Sequence, residues 1–332
     1  MLYTNPHDAA GPIAAQIAAA NQILVLTHIN PDGDAIGSLL GATHVLRALG
    51  KHVTPLALPP VPEYANWLPG VDTVQLYTPG APLALADLIF VGDTASIGRM
   101  GAIYPDHAAT LDRLPMIIVD HHVTNDGRGT VNLIQPEAAS TCELLYRLFV
   151  AMGAPISADA ATCLLLGLMT DTQSFQTTST NADSLRAAAA LLDLGADNQR
   201  VVHEVYNALP AASAALIGVA LAMLRVEAGI AWAQVTNAMM QATGAEEEAA
   251  DEVVRVMQRI AGVRALVLFK ERADGTTKIS LRSRPPYDVA RLAQEFGGGG
   301  HTQASGATLL ATPAEAQVLV LPRLKALVGD AT

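Results

Sequence analysis

The chain has 332 residues, which at roughly 100–200 residues per domain implies two domains. Hydrophobic residues at 51 % can fill a core in each, but aromatics at 4 % leave that core to Ala, Leu and Val in helices or an α/β arrangement. A formal net charge of −11 argues against tracking along long DNA or RNA, and any phosphate site has to be made locally positive by metal ions or a few Arg.

The N-terminal MLYTNPHDAAGPIAAQ lacks a basic segment followed by a long apolar run and does not read as a signal peptide. Residues 8–20 are Ala-rich and helical. QILVLT (22–27) is a short apolar run with β-branched members, the pattern of a buried parallel strand, and it ends in the polar loop HINPDGDAIGS. Helical spacing then runs from Ala35 to Leu49, where Gly50 stops it. The same grammar recurs in DLIFVGD (87–93), a strand ending in Asp93, and in MIIVDHH (116–122). Helices are expected over 141–152 and 158–170, the second running into DTQSF. Apolar strands alternating with helices imply a mostly parallel sheet with both faces covered. Ligands bind such sheets beyond the carboxyl ends of the strands, and His28, Asp93 and Asp120–His122 all fall there.

From 181 to 226 the helix signal is nearly continuous, interrupted at Gly195 and Pro210. Residues 1–196 read as the first domain, 197–226 as a helical connector and 227–332 as a second, smaller α/β domain. In the last, IAWAQVT, VRALVLFK, TKISLRS and ASGATLLA read as strands. GAEEEAADEVVRVMQRI reads as a helix whose acidic first turn suits the helix dipole. YDVARLAQEF is a further helix, followed by the flexible run GGGGH. Apolar stretches are broken before about 18 residues, so no spanning helix is expected and the protein reads as cytoplasmic. Cys142 and Cys163 make neither a disulfide framework nor a zinc pattern and read as buried free thiols.

The chemistry gathers on the loops. His28, Asp32 and Asp34 lie within seven residues, tightened by Pro31 and Gly33. Carboxylate oxygen and imidazole nitrogen suit manganese, magnesium or zinc. Asp32 and Asp34 point to different sides of an extended loop, so one could serve each of two metals; both also suit a turn or a helix cap. Asp93 could bridge two cations through its two oxygens, the spacing that two-metal phosphoryl chemistry needs. Of His121 and His122, one could ligate while the other faces substrate, with Asp120 holding a ring N–H and setting the tautomer. Asp171 is a conspicuous acid at the end of an apolar helix. In the second domain, Arg282 and Arg284 flank Ser283 on a strand and are expected to share one face, where guanidinium groups grip phosphate. Gly299 and Gly300 before His301 let backbone N–H groups approach an anion.

HxxxDxD with Pro31 and Gly37–Ser38, Asp93 after the second strand, DHH at 120–122 and the later DTxxF together resemble the DHH phosphoesterase superfamily, and GGGGHTQASG resembles its DHHA1 signature. The resemblance covers essentially the whole chain, and the length and SLRSR point to the NrnA-type branch, which joins oligoribonuclease and pAp phosphatase activities. RecJ-type exonucleases share the core but are larger. The resemblance implies two divalent cations, manganese first, with magnesium or cobalt as alternatives. One would take His28, Asp32 and Asp93, and the other Asp34, Asp93, His121 and Asp171, with His122 on the scissile phosphate. It also implies an active site in an interdomain cleft, where Arg282, Ser283, Arg284, Gly299, Gly300 and His301, with Arg99 from the first domain, clamp the substrate. Expected substrates are short RNA or DNA oligonucleotides, pAp and linear or cyclic dinucleotides such as pApA and c-di-AMP. A RecJ-like single-strand exonuclease stands further off. A homodimer is plausible and no membrane partner is expected.

Overall fold

Short runs of Leu, Ile and Val bounded by polar loops form the strands, and the Ala- and Leu-rich segments between them form the helices. The computed structural model describes residues 1–329, in two units: Met1–Ala208 and a second beginning at Leu209. The first comprises β1 (Leu2–Tyr3), α1 (Pro6–Ala19), β2 (Gln22–Leu26), α2 (Gly33–Ala48), β3 (His52–Ala57), β4 (Gln75–Leu76) and β5 (Leu88–Gly92). It continues with α3 (Ile103–Leu111), β6 (Met116–Asp120), β7 (Val131–Ile134), α4 (Thr141–Ala151), α5 (Ala158–Asp171), α6 (Ala182–Asp193) and α7 (Asn198–Val202).

Its sheet is parallel throughout, in the order β1-β7-β6-β5-β2-β3-β4. The chain builds outward from β2 in one direction and from β5 in the other. The switch point where ligands bind in such sheets therefore lies between these two strands. Alternate residues serve two cores. Ile23, Val25, Phe90, Ile117 and Val119 face α1, α2, α4 and α5, while Leu24, Leu26, Ile89, Val91 and Ile118 pack with Ile103 and Leu111 of α3.

On the first face α2 and α5 come unusually close. Gly33, Gly37 and Gly41 recur one per turn along α2. A Cβ at Gly37 would stand 2.5 Å from the carbonyl oxygen of Cys163, and one at Gly41 would stand 2.6 Å from Leu164. Gly167 of α5 answers them, since a Cβ there would meet the Cys142 sulfur and Asp34. This approach presses the start of α2 against the end of α5.

The second unit comprises α8 (Ala211–Ala222), β8 (Arg225–Glu227), β9 (Ile230–Val235), α9 (Asn237–Thr243), α10 (Ala249–Gln258), β10 (Ala265–Glu271) and β11 (Thr277–Ser283). It ends with α11 (Val289–Glu295), β12 (Gly299–His301), β13 (Ala304–Leu309) and α12 (Pro313–Gly329). Its sheet runs β12-β13-β11-β10-β9-β8, with only β9 and β10 parallel. Leu216, Val253, Val254 and Met257 from α8 and α10 cover one face; Val289, Leu292, Val320 and Leu324 from α11 and α12 cover the other.

Three expectations change here. The 197–226 segment is divided, α7 and the π turn His203–Asn207 packing with the first unit and α8 with the second. Tyr206 Oη donates to Met169 O at 2.9 Å, fastening that turn to α5. GGGGH is not a loose run: Gly299–His301 pair with β13, and a Cβ at Gly300 would stand 2.6 Å from Ala304 O, so Gly298 and Gly300 serve close strand packing, while Gly297 and Gly299 meet nothing within 4 Å. The acidic run Glu246–Glu248 forms a turn before α10, and Glu247 O accepts from the buried Lys270 ammonium at 3.0 Å. No single helix among the described residues is long and apolar enough to cross a membrane.

The close approach has a measurable consequence. Gly37→Ala sets a methyl against backbone and is expected to cost about 3 kcal/mol, the upper range for overpacking. Gly11→Ala on α1, which meets nothing within 4 Å, is expected to gain up to about 1 kcal/mol. Equal melting temperatures for the two variants would contradict the α2–α5 contact.

Candidate metal centre

Each strand end at the switch point delivers a polar side chain. β2 runs into His28, which is buried; its Nδ1 lies 2.7 Å from Ile29 O. With Nδ1–H donating there, Nε2 points inward, 3.4 Å from Asp93 Oδ2 and 3.9 Å from Asp32 Oδ1. Asp32 caps α2, its Oδ1 accepting from Asp34 N and Ala35 N at 3.1 Å each. Asp34, one turn in, is fully buried and receives the first amides of another helix: Thr141 N donates to Oδ2 at 2.7 Å and Cys142 N to Oδ1 at 2.9 Å. Helix N-termini favour anions through free amides and the dipole.

Asp93 follows β5 with φ 55°, a left-handed backbone. Its oxygens face opposite ways. Oδ2 meets His28, whereas Oδ1 accepts from Thr141 Oγ1 at 3.0 Å and lies 3.7 Å from His121 Nε2. At the end of β6, Asp120 Oδ1 accepts from His122 Nδ1 at 2.8 Å and Oδ2 from Asn125 Nδ2 at 2.6 Å. His121 turns Nδ1 to Ala138 O at 3.3 Å and Nε2 to Asp171 Oδ2, also at 3.3 Å. Asp171 ends α5, and the chain then makes a left-handed turn through Gln173, Ser174 and Phe175, at φ 49°, 58° and 64°. Thr172 holds that turn, its Oγ1 accepting from Phe175 N at 3.1 Å.

Three groups result whose donor atoms lie within 4.8 Å of one another: His28, Asp32 and Asp93; Asp34, His121 and Asp171; and Asp93, His121 and His122. Among the described residues no Lys or Arg forms an ion pair with Asp32, Asp34, Asp93 or Asp171. Burial and the Asp93 charge push the Asp34 carboxyl up to about 7 and raise that of Asp32. Burial, with the Asp34 charge next, lifts Asp171 well above the usual range. Burial also works to raise Asp93, but the His28 hydrogen bond and the charges of His121, His28 and His122 outweigh it and hold Asp93 down. Burial opposes charge on His122, yet Asp120 and the neighbouring carboxylates push it up to about 8. Crowded carboxylates with no Lys or Arg counter-charge, facing imidazole nitrogens whose partner nitrogens are tied to carbonyls, fit divalent cations. The Cys142 thiol, raised by burial, donates to Asp34 O at 3.6 Å and stays neutral.

Comparison with known proteins gives the family. The model of the DHH family, N-terminal domain, matches residues 22–168, and that of the DHHA1 domain matches residues 232–325. The chain belongs to the DHH family. It is 32 % identical over 296 residues to the bifunctional oligoribonuclease and PAP phosphatase NrnA of Thermus thermophilus, covering 88 % of this chain and 85 % of that one. It is 27 % identical to the NrnA of Bacillus subtilis, covering 88 % and 91 %. An exopolyphosphatase-related protein from Bacteroides fragilis superposes with a TM-score of 0.90 at 28 % identity, covering 97 % of this chain and 98 % of that one.

In this DHH chain the structure gathers all eight residues singled out in the first unit's loops: His28, Asp32, Asp34, Asp93, Asp120, His121, His122 and Asp171. Arg99 stands at the rim, exposed, its Nη2 3.0 Å from His28 Nδ1. In the second unit β11 ends at Ser283. Arg282 donates to Leu281 O, Ser283 Oγ to Tyr287 O, and Arg284, past the end of β11, to Gln258 O. Pro285 and Pro286 lack the N–H that would continue the ladder. Gly299 and Gly300 lie in β12, and the side chain of His301 lies outside the described residues. Sequence reading missed Thr141, Asn125 and the α4 amides. The available signal was S-x-x-E at Ser140–Glu143, a helix-start signature.

Carboxyls with raised pKa hold protons more tightly folded than unfolded, so Asp32, Asp34 and Asp171 make the metal-free protein less stable as pH rises above the usual carboxylate range, Asp34 doing so up to about 7. His28 and His122, also raised, act in the same sense, His122 up to about 8; Asp93, lowered, acts the other way only in acid. The metal-free protein is therefore expected to melt lower at pH 7.5 than at 5.5, and manganese at pH 7.5 to reverse the loss. A melting temperature that rises with pH in EDTA would rule out the carboxylate crowding. Gln173→Gly relieves a left-handed residue and is expected to stabilise by about 1 kcal/mol, read as a raised melting temperature.

Proposed function

We propose that the chain is a divalent-metal-dependent phosphoesterase that releases mononucleotides from short oligoribonucleotides and converts pAp to AMP and phosphate. The observation carrying this is Asp93, whose two oxygens face two separate donor groups. The 32 % identity to a named oligoribonuclease and PAP phosphatase supports the substrate class. His28, Asp32 and Asp93 would hold one cation, and Asp34, Asp93, His121 and Asp171 the other, with manganese first and magnesium or cobalt as alternatives. Bound there, such cations act as Lewis acids on a phosphoryl oxygen and lower the pKa of water.

The protein's own groups do the rest. Nδ1–H of His28 and of His121 donates to a carbonyl and keeps each Nε2 directed at the carboxylates. Thr141 Oγ1 and the α4 amides fix Asp93 and Asp34, so that neither swings out to water. Asp120 holds His122 by Nδ1, which leaves its Nε2 to donate to a non-bridging oxygen of the scissile phosphate. The leaving group is a nucleoside hydroxyl. Arg99, Arg282, Ser283, Arg284, Gly299, Gly300 and His301 remain the proposed holders of the substrate's other phosphate.

The test is hydrolysis of end-labelled RNA di- to decanucleotides, with pAp and a cyclic dinucleotide alongside, in manganese and in EDTA. Manganese-dependent mononucleotide release, fastest on the shortest chains, with phosphate from pAp, is expected. Cleavage of the cyclic dinucleotide alone would move the substrate, and no cleavage with metal bound would end the reading. Asp93→Asn, which tolerates the left-handed backbone, should bring turnover to background. Asp120→Asn should lower it about 10–100-fold, as for other groups that orient a site from behind.

A further inference from the structure

Against His121, His122 and Asp171 lies a cavity of about 370 Å³ formed entirely by the first unit. Ligand pockets run from about 300 to 1,000 Å³, so this one has room for a single nucleoside-sized group rather than a dinucleotide. One wall is the turn after β7, apolar at Pro136, Ala138 and Ala139. The other is the segment after the left-handed turn, which presents Thr177 and Ser179. Val123, 81 % exposed, also lines the cavity.

Hydrogen bonds hold both walls. Asn181, the cap of α6, donates its side-chain amide to Glu137 O at 3.1 Å and so ties one wall to the other. Thr177 N donates to Thr172 O at 3.1 Å, fastening the second wall to the turn that follows Asp171. The shape of the cavity is thus coupled to the same residues that set the centre.

The chemistry of the lining is selective. No Lys or Arg is among the lining residues, and Asp171 faces in, so a second phosphate would meet no cationic side chain there. Apolar surface at Val123 and Pro136 suits the face of a base. Beyond the centre itself, the side-chain polar groups are Thr177 Oγ1 and Ser179 Oγ, 2.8 Å apart. One hydroxyl donates to the other, which leaves one donor and spare acceptor positions for a ligand hydroxyl.

We propose that this cavity receives the nucleoside esterified to the scissile phosphate, with the base against Val123 and Pro136 and a ribose 2′-hydroxyl on Thr177 and Ser179. The proposal rests on the phosphoesterase reading and adds the place where ribose is told from deoxyribose. A site that hydrogen-bonds a substrate hydroxyl disfavours the analogue lacking it, because its own polar groups are then left unpaired.

The experiment measures kcat/KM for a ribodinucleotide and its 2′-deoxy counterpart in manganese, at matched metal content, for the natural chain, Ser179→Ala and Thr177→Val. The natural chain is expected to prefer the ribodinucleotide, and each variant to lower that preference about five- to tenfold. Val123→Trp, at an exposed position that leaves the fold intact, is expected to raise KM for both dinucleotides more than it changes kcat. No ribose preference in the natural chain, or a preference that survives in Ser179→Ala and Thr177→Val alike, overturns the subsite. Failure of the natural chain to cleave either dinucleotide strikes the phosphoesterase reading instead.

Discussion

Asp34 and Asp93 are buried, and Asp171, partly exposed, and Asp32, at the exposed edge, lie close to them. Asp32 shares a donor group with Asp93, and Asp34 shares one with Asp171; two carboxylates about 4 Å apart repel by about 4 kcal/mol at an effective dielectric near 20, so the four would not all stay ionised unaided. The fold answers part of this with backbone dipoles. The start of α2 gives two amides to Asp32, and the start of α4 gives two to Asp34. Imidazoles answer Asp93 from both sides. What is left over is negative charge with no Lys or Arg to meet it, and that remainder is what a divalent cation neutralises.

Holding such a site requires a scaffold that cannot relax away from it. The α2–α5 crossing supplies this through glycine, because only a residue without Cβ lets the Asp34 turn of α2 lie against the last turns of α5. Strain is concentrated at the same place. Of the six non-glycine residues with left-handed backbone among the described residues, Asn30, Asp93, Gln173, Ser174 and Phe175 lie on the loops of the centre and Ala228 lies elsewhere. Such conformations persist only where surrounding structure overrides local preference, and they cluster at functional sites.

Much of this was legible in the residues. Apolar runs of four residues marked β2, β5 and β6, and acids and imidazoles soon after them marked the centre, because a parallel sheet brings strand ends together whatever their distance in sequence. Backbone contributions were not legible. The amides that bind Asp34 leave no side-chain signature, so Thr141 and Cys142 passed as ordinary helix. β3 carries Pro55, which argues against a strand, but β4 pairs only with Leu56 and Ala57 and leaves Pro55 without a neighbour on the outer side. The glycine run looked mobile because composition alone does not separate a glycine needed for freedom from one needed for close contact. The Arg282–Arg284 alternation assumed a strand one residue longer than the Pro pair allows.

The charge of the chain takes on meaning once it is divided between the units. Met1–Ala208 holds 19 acidic and 8 basic residues, so the whole net charge of −11 belongs to the unit that carries the centre. The remainder holds 12 of each, with nine basic and three acidic residues between positions 255 and 291. A polyanion spread along the first unit would be repelled except at the cations themselves, and binding there would release few counterions. Affinity has to come from one phosphate at the centre and a small number of directed contacts, since a long backbone gains nothing from the rest of that surface. Short substrates escape the repulsion because they end before they reach it. The same acidity that makes the metal centre possible thereby limits how much nucleic acid this unit can hold.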